Sequence, residues 1–320
     1  MKLATLRNGT PDGRLHIVSR DGARSEPARA VQTMQQALEL WASVAPELVA
    51  QFDEIEAGAG EAIETAALLA PLPRAWQWLD GSTFPSHGAL MDKALNITPE
   101  KSDKPQMYQG VSDTFYPPVG DIPMAEEALG IDFEGEIGIL IDEVPLGTDA
   151  ETALGHVRLL VQINDWSLRM LAGAEMRTGF GWIQAKPPCG MAPFAITPDE
   201  LGDHWRDGRA SLTLHVDWNG KRFGAANSKF MGYGFHQLIE HGARTRTLVA
   251  GTVIGSGTVS NDSYREVGSS CIAERRGIEI VDGGKPVTEF MRYGDTVRME
   301  AVTGEGWSPF GVLEQRVVAA

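Results

Sequence analysis

The chain has 320 residues, 28 lysines and arginines against 43 aspartates and glutamates, and a formal charge of −15. So acidic a balance lacks the basic face that counterion release on nucleic acid or attraction to an anionic membrane requires, and both are excluded as partners. Its 42% hydrophobic and 22% charged residues mark a globular chain; at roughly 100–200 residues per domain the length suggests about two domains, able to fold without a structural metal or disulfide.

Residues 2–20 alternate apolar and polar positions around Asn8-Gly9 and Asp12-Gly13, a strand–turn–strand pattern. From Val31 to Glu56 the apolar residues Met34, Ala37, Leu38, Leu40, Trp41, Leu48, Phe52 and Ile55 recur at helical spacing. Pro46 is expected to divide this stretch into two helices, and Gly58-Ala59-Gly60 to end the second. Leu69–Arg74 carries two prolines and reads as an extended linker. A boundary near residue 70 therefore separates a small N-terminal domain, 1–70, from a larger one, 71–320.

Beyond that boundary short β-rich runs dominate, at Glu136–Ile141, Arg158–Ile163, Ser211–Trp218, Thr252–Ile254, Gly277–Ile280 and Thr296–Ala301. Helical patches intervene at Leu168–Gly173 and Gly234–His241. The pattern predicts an α+β, strand-rich chain with a mixed or antiparallel sheet, not a run of βαβ units. Two cysteines, Cys189 and Cys271, are too few for a disulfide framework and read as free, buried thiols. With no apolar signal region after Met1 and no apolar run of about 18 residues, the expected compartment is the cytoplasm.

The common catalytic signatures are missing. Gly255-Ser-Gly257 lacks the third glycine of a dinucleotide-binding turn, and there is no Walker A sequence, H-E-x-x-H, EF-hand loop, Cys/His zinc cluster or G-x-S-x-G elbow. Carboxylates stand out instead. In Ile131-Asp-Phe-Glu-Gly-Glu-Ile-Gly, Glu134 and Glu136 fall on one strand face, about 7 Å apart, with Asp132. Two ionised carboxylates so placed repel and call for a cation; an all-oxygen set suits Mg²⁺ or Ca²⁺, with Mn²⁺ as a third option. Asp165 follows the apolar run Leu159–Ile163, where it either joins such a site or caps a helix starting at Trp166. Taken singly, these residues have plainer readings: Glu134 and Glu136 the solvent face of an edge strand, His87 a surface or hydrogen-bonded histidine, Lys186 a snorkelling lysine; Asp80 lies in the aromatic-flanked segment Trp76–His87.

Taken together and in order, these segments resemble the fumarylacetoacetate hydrolase family. The matching pieces are the Asp80…His87 pair, Phe133-Glu-Gly-Glu-Ile-Gly138, Asn164-Asp-Trp-Ser-Leu-Arg169, Lys186 in Gln184-Ala-Lys-Pro-Pro, Ser256-Gly-Thr-Val-Ser260, and Phe290-Met-Arg-Tyr-Gly-Asp-Thr-Val297. The resemblance implies a mixed β-roll catalytic domain, usually paired as a homodimer. It implies a divalent cation held by Asp80, Glu134, Glu136 and Asp165, a catalytic His87, Arg169 and Lys186 as cationic stabilisers, and Thr258 on the substrate carboxylate. A glutamate that orients the histidine is expected downstream. Its ungapped position here is Ile272, which leaves Glu274 as the nearest acid and Glu266 as a second candidate. The implied activity is hydrolysis of a carbon–carbon bond in a small-molecule diketo or keto acid, with fumarylacetoacetate, cleaved to fumarate and acetoacetate in aromatic amino acid catabolism, as the first substrate. Alternatives on the same metal core are an acylpyruvate hydrolase, an oxaloacetate-type decarboxylase, a decarboxylase/isomerase and a sugar-acid dehydratase; the non-enzymatic alternative is a cation-stabilised binding protein. Residues 170–176 lack the polar and tyrosyl groups that the fumarylacetoacetase branch uses there.

Overall fold

The computed structural model describes residues 1–96, 98 and 102–320. Lys2–Leu6 and Arg14–Val18 pair antiparallel across the expected turn, with Leu3 opposite Ile17, both fully buried. Lys2–Leu6 also pairs with Phe194–Ile196, so the N-terminal strands continue into one 11-stranded sheet. Its order runs Glu61–Ala62, Arg24–Pro27, Arg14–Val18, Lys2–Leu6, Phe194–Ile196, Val157–Asn164, Gly135–Ile141, Thr252–Gly255, Gln77–Gly81, Met107–Gly110. Gly190–Met191 pairs off this path with Val157–Asn164.

Gly135–Ile141 is buried along its whole length because both faces are covered. One face meets the second sheet, ordered Lys221–Asn227, Thr213–Trp218, Thr296–Val302, Leu313–Ala319, Val119–Met124. Ile137 and Ile139 share a core there with Leu214, Val216, Val297 and Met299. On the other side Leu140, Leu159 and Val161 join the N-terminal helices through Leu48 and Phe52. The strand-rich α+β architecture is the one the sequence predicts. Among the described residues no helix is long and apolar enough to cross a membrane.

Two local expectations differ from the structure. The break in the N-terminal helical stretch falls at Leu40, between Met34–Glu39 and Trp41–Glu56, and Pro46 lies inside the second helix. Proline removes a single ladder hydrogen bond, and the continuous buried stripe Val44, Leu48, Phe52, Ile55 outweighs that loss. Gly277–Ile280, expected as a strand, belongs to the helix Ile272–Gly283, whose Ile272, Glu274, Gly277 and Ile278 are buried at helical spacing. A four-residue apolar run fits either period, and the packing decides. Gly277 lets the helix Pro85–Leu95 come close: a Cβ there would lie 3.1 Å from Met91 Sδ.

Lys2 joins the N-terminal strands to the rest of the molecule. Its ammonium donates to Arg20 O at 2.7 Å and lies over the rings of Phe194 and Trp307. Burial lowers its pKa to about 8 despite the opposing pull of Glu200. A base whose folded pKa lies below its unfolded value of 10.5 makes the fold more stable as pH rises between the two. In urea denaturation at pH 7.5 and pH 10, the native chain should therefore gain about 2–3 kcal/mol relative to Lys2→Met. Parallel curves for the two proteins would refute this assignment.

Candidate active site

Three carboxylates meet at one end of the central strands. Asp80 lies near the end of Gln77–Gly81, opposite Gly255 of Thr252–Gly255; Glu136 lies near the start of Gly135–Ile141, opposite Ile163. Asp165 directly follows Val157–Asn164. All three are buried, and one oxygen of each lies within 4.8 Å of the others. The Gly257 N–H donates to Asp80 Oδ1 at 3.2 Å and to Glu136 Oε2 at 3.1 Å. Gly257 has φ +78°, a left-handed turn that only glycine adopts at low cost. Gly255 underlies the cluster: a Cβ there would lie 2.3 Å from Asp80 Oδ1 and 2.8 Å from Glu136 Oε2.

Burial raises the carboxyl pKa of all three, and mutual repulsion adds to it: Asp165 acts on Asp80, and Asp80 and Asp165 act on Glu136. Glu136 Oε1 is buried and has no hydrogen-bond partner among the described residues. A buried acceptor left open between other carboxylates is what a divalent cation fills, and the all-oxygen donor set suits a hard metal.

Glu134 faces the cations instead. Its carboxylate accepts from Arg169 Nη2 and, at 2.8 Å, from Lys186 Nζ. Burial alone would raise its pKa, but Arg169 and Lys186 outweigh burial and hold it low. Lys186 is buried, bridges Glu134 and Asp165, and stays charged because those two acids overcome its desolvation. It does not snorkel. Arg169 extends the chain to Asp132, Nε to Oδ2 at 2.7 Å, and Asp132 accepts the backbone N–H groups of Ile272 and Ala273 at the start of the helix Ile272–Gly283.

Asp165 caps no helix. Ser167-Leu168 pairs with Ile131-Asp132 before the helix Arg169–Thr178 begins, and Asp165 instead accepts from Tyr108 Oη (2.8 Å), Lys186 Nζ and Cys189 Sγ (3.0 Å). His87 stands on the helix Pro85–Leu95, with Nδ1 3.6 Å from Oε1 of the fully buried Glu274. Glu266 is exposed on the short helix Tyr264–Val267, and Ile272 is buried with its N–H on Asp132. Thr258 is buried in the loop beside Gly257.

Sequence reasoning gave Tyr108 and Glu175 no place in the site and read Cys189 only as a free, buried thiol, which it is, as is Cys271. Tyr108 packs edge-on against Trp182 and lies under the Lys186 ammonium. Glu175 accepts the backbone N–H groups of Ile183, Gln184 and Ala185, which fixes the segment leading to Lys186 against the helix that carries Arg169. In the sequence Glu175 is marked only as the single acid of the stretch Arg169–Thr178.

Residues 77–318 match the family model of the fumarylacetoacetate hydrolase C-terminal domain, and residues 1–74 match that of the fumarylacetoacetase N-terminal domain 2. This chain belongs to the fumarylacetoacetate hydrolase family. A 2,4-didehydro-3-deoxy-L-rhamnonate hydrolase of Sphingomonas sp. strain SKA58 is 25% identical over 211 residues, 65% of this chain and 65% of its own length. The fumarylacetoacetase of Dictyostelium discoideum is 27% identical over 225 residues, 59% of this chain and 52% of its own. The chain thus spans between half and two thirds of the length of these curated relatives. Among solved structures, maleylpyruvate hydrolase of Sphingobium sp. SYK-6, in complex with manganese(II) and pyruvate, has a TM-score of 0.66 at 17% identity with both chains fully covered. The 5-carboxymethyl-2-hydroxymuconate delta-isomerase of Mycobacterium smegmatis has a TM-score of 0.61 at 18% identity, covering 100% of this chain and 99% of that one. At such identities the structures share the family fold.

Gly255→Ala places a methyl group among the three carboxylates. It is expected to weaken Mn²⁺ binding about 10–100-fold in titration calorimetry, because the oxygens cannot converge around it. The same methyl would lie 2.3 Å from the buried Trp78 ring, so far-UV circular dichroism is read alongside; native Mn²⁺ affinity in the folded variant would rule the three carboxylates out as the site.

Proposed function

We propose that the chain is a divalent-metal-dependent hydrolase that cleaves a carbon–carbon bond in a β-diketo acid, with fumarylacetoacetate as the first candidate substrate. The reading keeps residues 1–70 as a small N-terminal unit, 71–320 as the catalytic unit, and a homodimer as the working form. The observation that carries it is the buried triad Asp80, Glu136, Asp165, with an open acceptor on Glu136, on the same end of the sheet as Lys186 and the His87–Glu274 pair.

Asp80, Glu136 and Asp165 would hold the cation, with Glu134 turned toward Arg169 and Lys186. When bound, it supplies positive charge for the oxygens of a dicarbonyl substrate, a Lewis-acid contribution. His87 presents Nδ1 to Glu274, which leaves Nε2 to take a proton from water. The water oxygen bonds to one carbonyl carbon. The bond from that carbon to the carbon between the two carbonyls then breaks, and its electron pair passes into an enolate. Protonation of the enolate gives a carboxylic acid and a ketone, here fumarate and acetoacetate. General-base assistance of this kind contributes about 10²–10⁴-fold. Lys186 has three N–H donors and two carboxylate partners, so one N–H remains for the developing oxyanion. Arg169 keeps Glu134 and Asp132 in place.

The name of the rhamnonate hydrolase also describes a 2,4-dicarbonyl acid, and this favours a second reading, a sugar-derived diketo acid. Assays of fumarylacetoacetate, an acylpyruvate and a 2,4-diketo sugar acid, with Mg²⁺, Ca²⁺ or Mn²⁺ and after chelation, separate the two. Cleavage of at least one, lost on chelation, is expected. His87→Ala should lower kcat by about 10²–10⁴-fold with Mn²⁺ affinity unchanged. Full activity in that variant, or in chelated protein, would overturn the proposal.

A further inference from the structure

The family resemblance leaves one part of the site without a role: the serine that ends the loop 256–260. This loop is stitched to the central strand by Ser256 N to Ile137 O (2.9 Å) and Val259 N to Gly135 O (3.0 Å). At one end the Gly257 N–H holds Asp80 and Glu136. At the other end Ser260, 1% exposed, donates its hydroxyl to Glu274 Oε1 and accepts from Ser86 Oγ at 2.8 Å. Ser86 is the neighbour of His87 on the helix Pro85–Leu95. Glu274 Oε2 has no hydrogen-bond partner among the described residues, nor has His87 Nδ1. A buried carboxylate with one open oxygen is costly and free to rotate unless another group fixes it.

We propose that Ser260 is a positioning residue. Its hydroxyl pins Glu274 so that Oε1 faces His87 Nδ1, and Ser86 in turn fixes the direction of the Ser260 hydroxyl. The 3.6 Å separation of Nδ1 and Oε1 is longer than a hydrogen bond, a gap that such pairs commonly close when substrate binds. Through the loop, one short segment sets both the carboxylate triad and the orientation of the histidine. The neutral His87 ring is thereby held with its proton on Nδ1 and its lone pair on Nε2. The proposal rests on the reading of His87 as the general base.

The test compares Ser260→Ala, Glu274→Gln and the double variant in the intact protein. Ser260→Ala should lower kcat about 10–100-fold, with KM and Mn²⁺ affinity changed by less than about threefold. Added to Glu274→Gln, it should cost nothing more, because Ser260 acts only through that carboxylate. A multiplicative loss in the double variant, or an unchanged kcat in the single one, overturns the proposal. Nitrogen-15 NMR of labelled histidine reads the His87 tautomer without turnover. The native ring should carry its proton on Nδ1, and Ser260→Ala should give a mixture; an Nε2-protonated native ring overturns the assignment. Should Ser260→Ala fail to fold, Ser86→Ala gives the same readouts with a smaller shift expected, and no shift in either counts against the proposal. A tautomer change in a protein that cleaves none of the three substrates would overturn the functional reading and uphold the positioning.

Discussion

Five buried carboxylates, Asp80, Asp132, Glu134, Glu136 and Asp165, lie around only two cations, the buried Lys186 and the partly buried Arg169. That imbalance orders the rest of the site. Charges in a low-dielectric interior interact strongly, so each cation is placed where it serves two acids: Arg169 between Asp132 and Glu134, Lys186 between Glu134 and Asp165. Glu134 takes both, and its pKa is held low. Asp80 and Glu136 take neither, and theirs are raised. The uncompensated negative charge therefore collects on one side, where a proton or a divalent cation must answer it.

The backbone makes room for that charge with glycine. Gly135 packs under Leu214, Gly138 under Ile163, and Gly255 directly beneath the carboxylates, so neighbouring strands carry acids without side chains beside them to push them apart. Asp132 adds a second economy of space: the carboxylate that anchors Arg169 also caps the helix that presents Glu274. The acid cluster and the histidine pair are thus joined both through Asp132 and through the loop 256–260.

Much of this was legible in the sequence. Alternation and turn residues mark the strands around Glu136–Ile141 and Thr296–Ala301, and each was found within a residue or two. The acids and His87 were readable only as an ordered set, since each alone has an ordinary structural explanation. What was not legible depends on contacts distant in sequence. Gly277–Ile280 is helical because Gly277 must pack against Met91, and Trp41–Glu56 runs through Pro46 because its buried stripe continues. The division of labour between Glu134 and Glu136 is set by which of them Arg169 and Lys186 reach, and no spacing within Phe133–Gly138 encodes that. The helix Pro85–Leu95 did leave a local mark, a proline in its first turn.

The pairing of Lys2–Leu6 with Phe194–Ile196 has a consequence for how the chain is made. Synthesis runs from the N-terminus, so the first hairpin emerges long before the strand that completes it. Gln77–Gly81 waits nearly as long for its parallel partner Thr252–Gly255. Both early strands present an open edge during that interval, and such edges recruit other chains. Sequence separations this large also slow folding. Expression at low temperature or with chaperones should accordingly raise the soluble yield of this protein more than that of an α-helical chain of equal length.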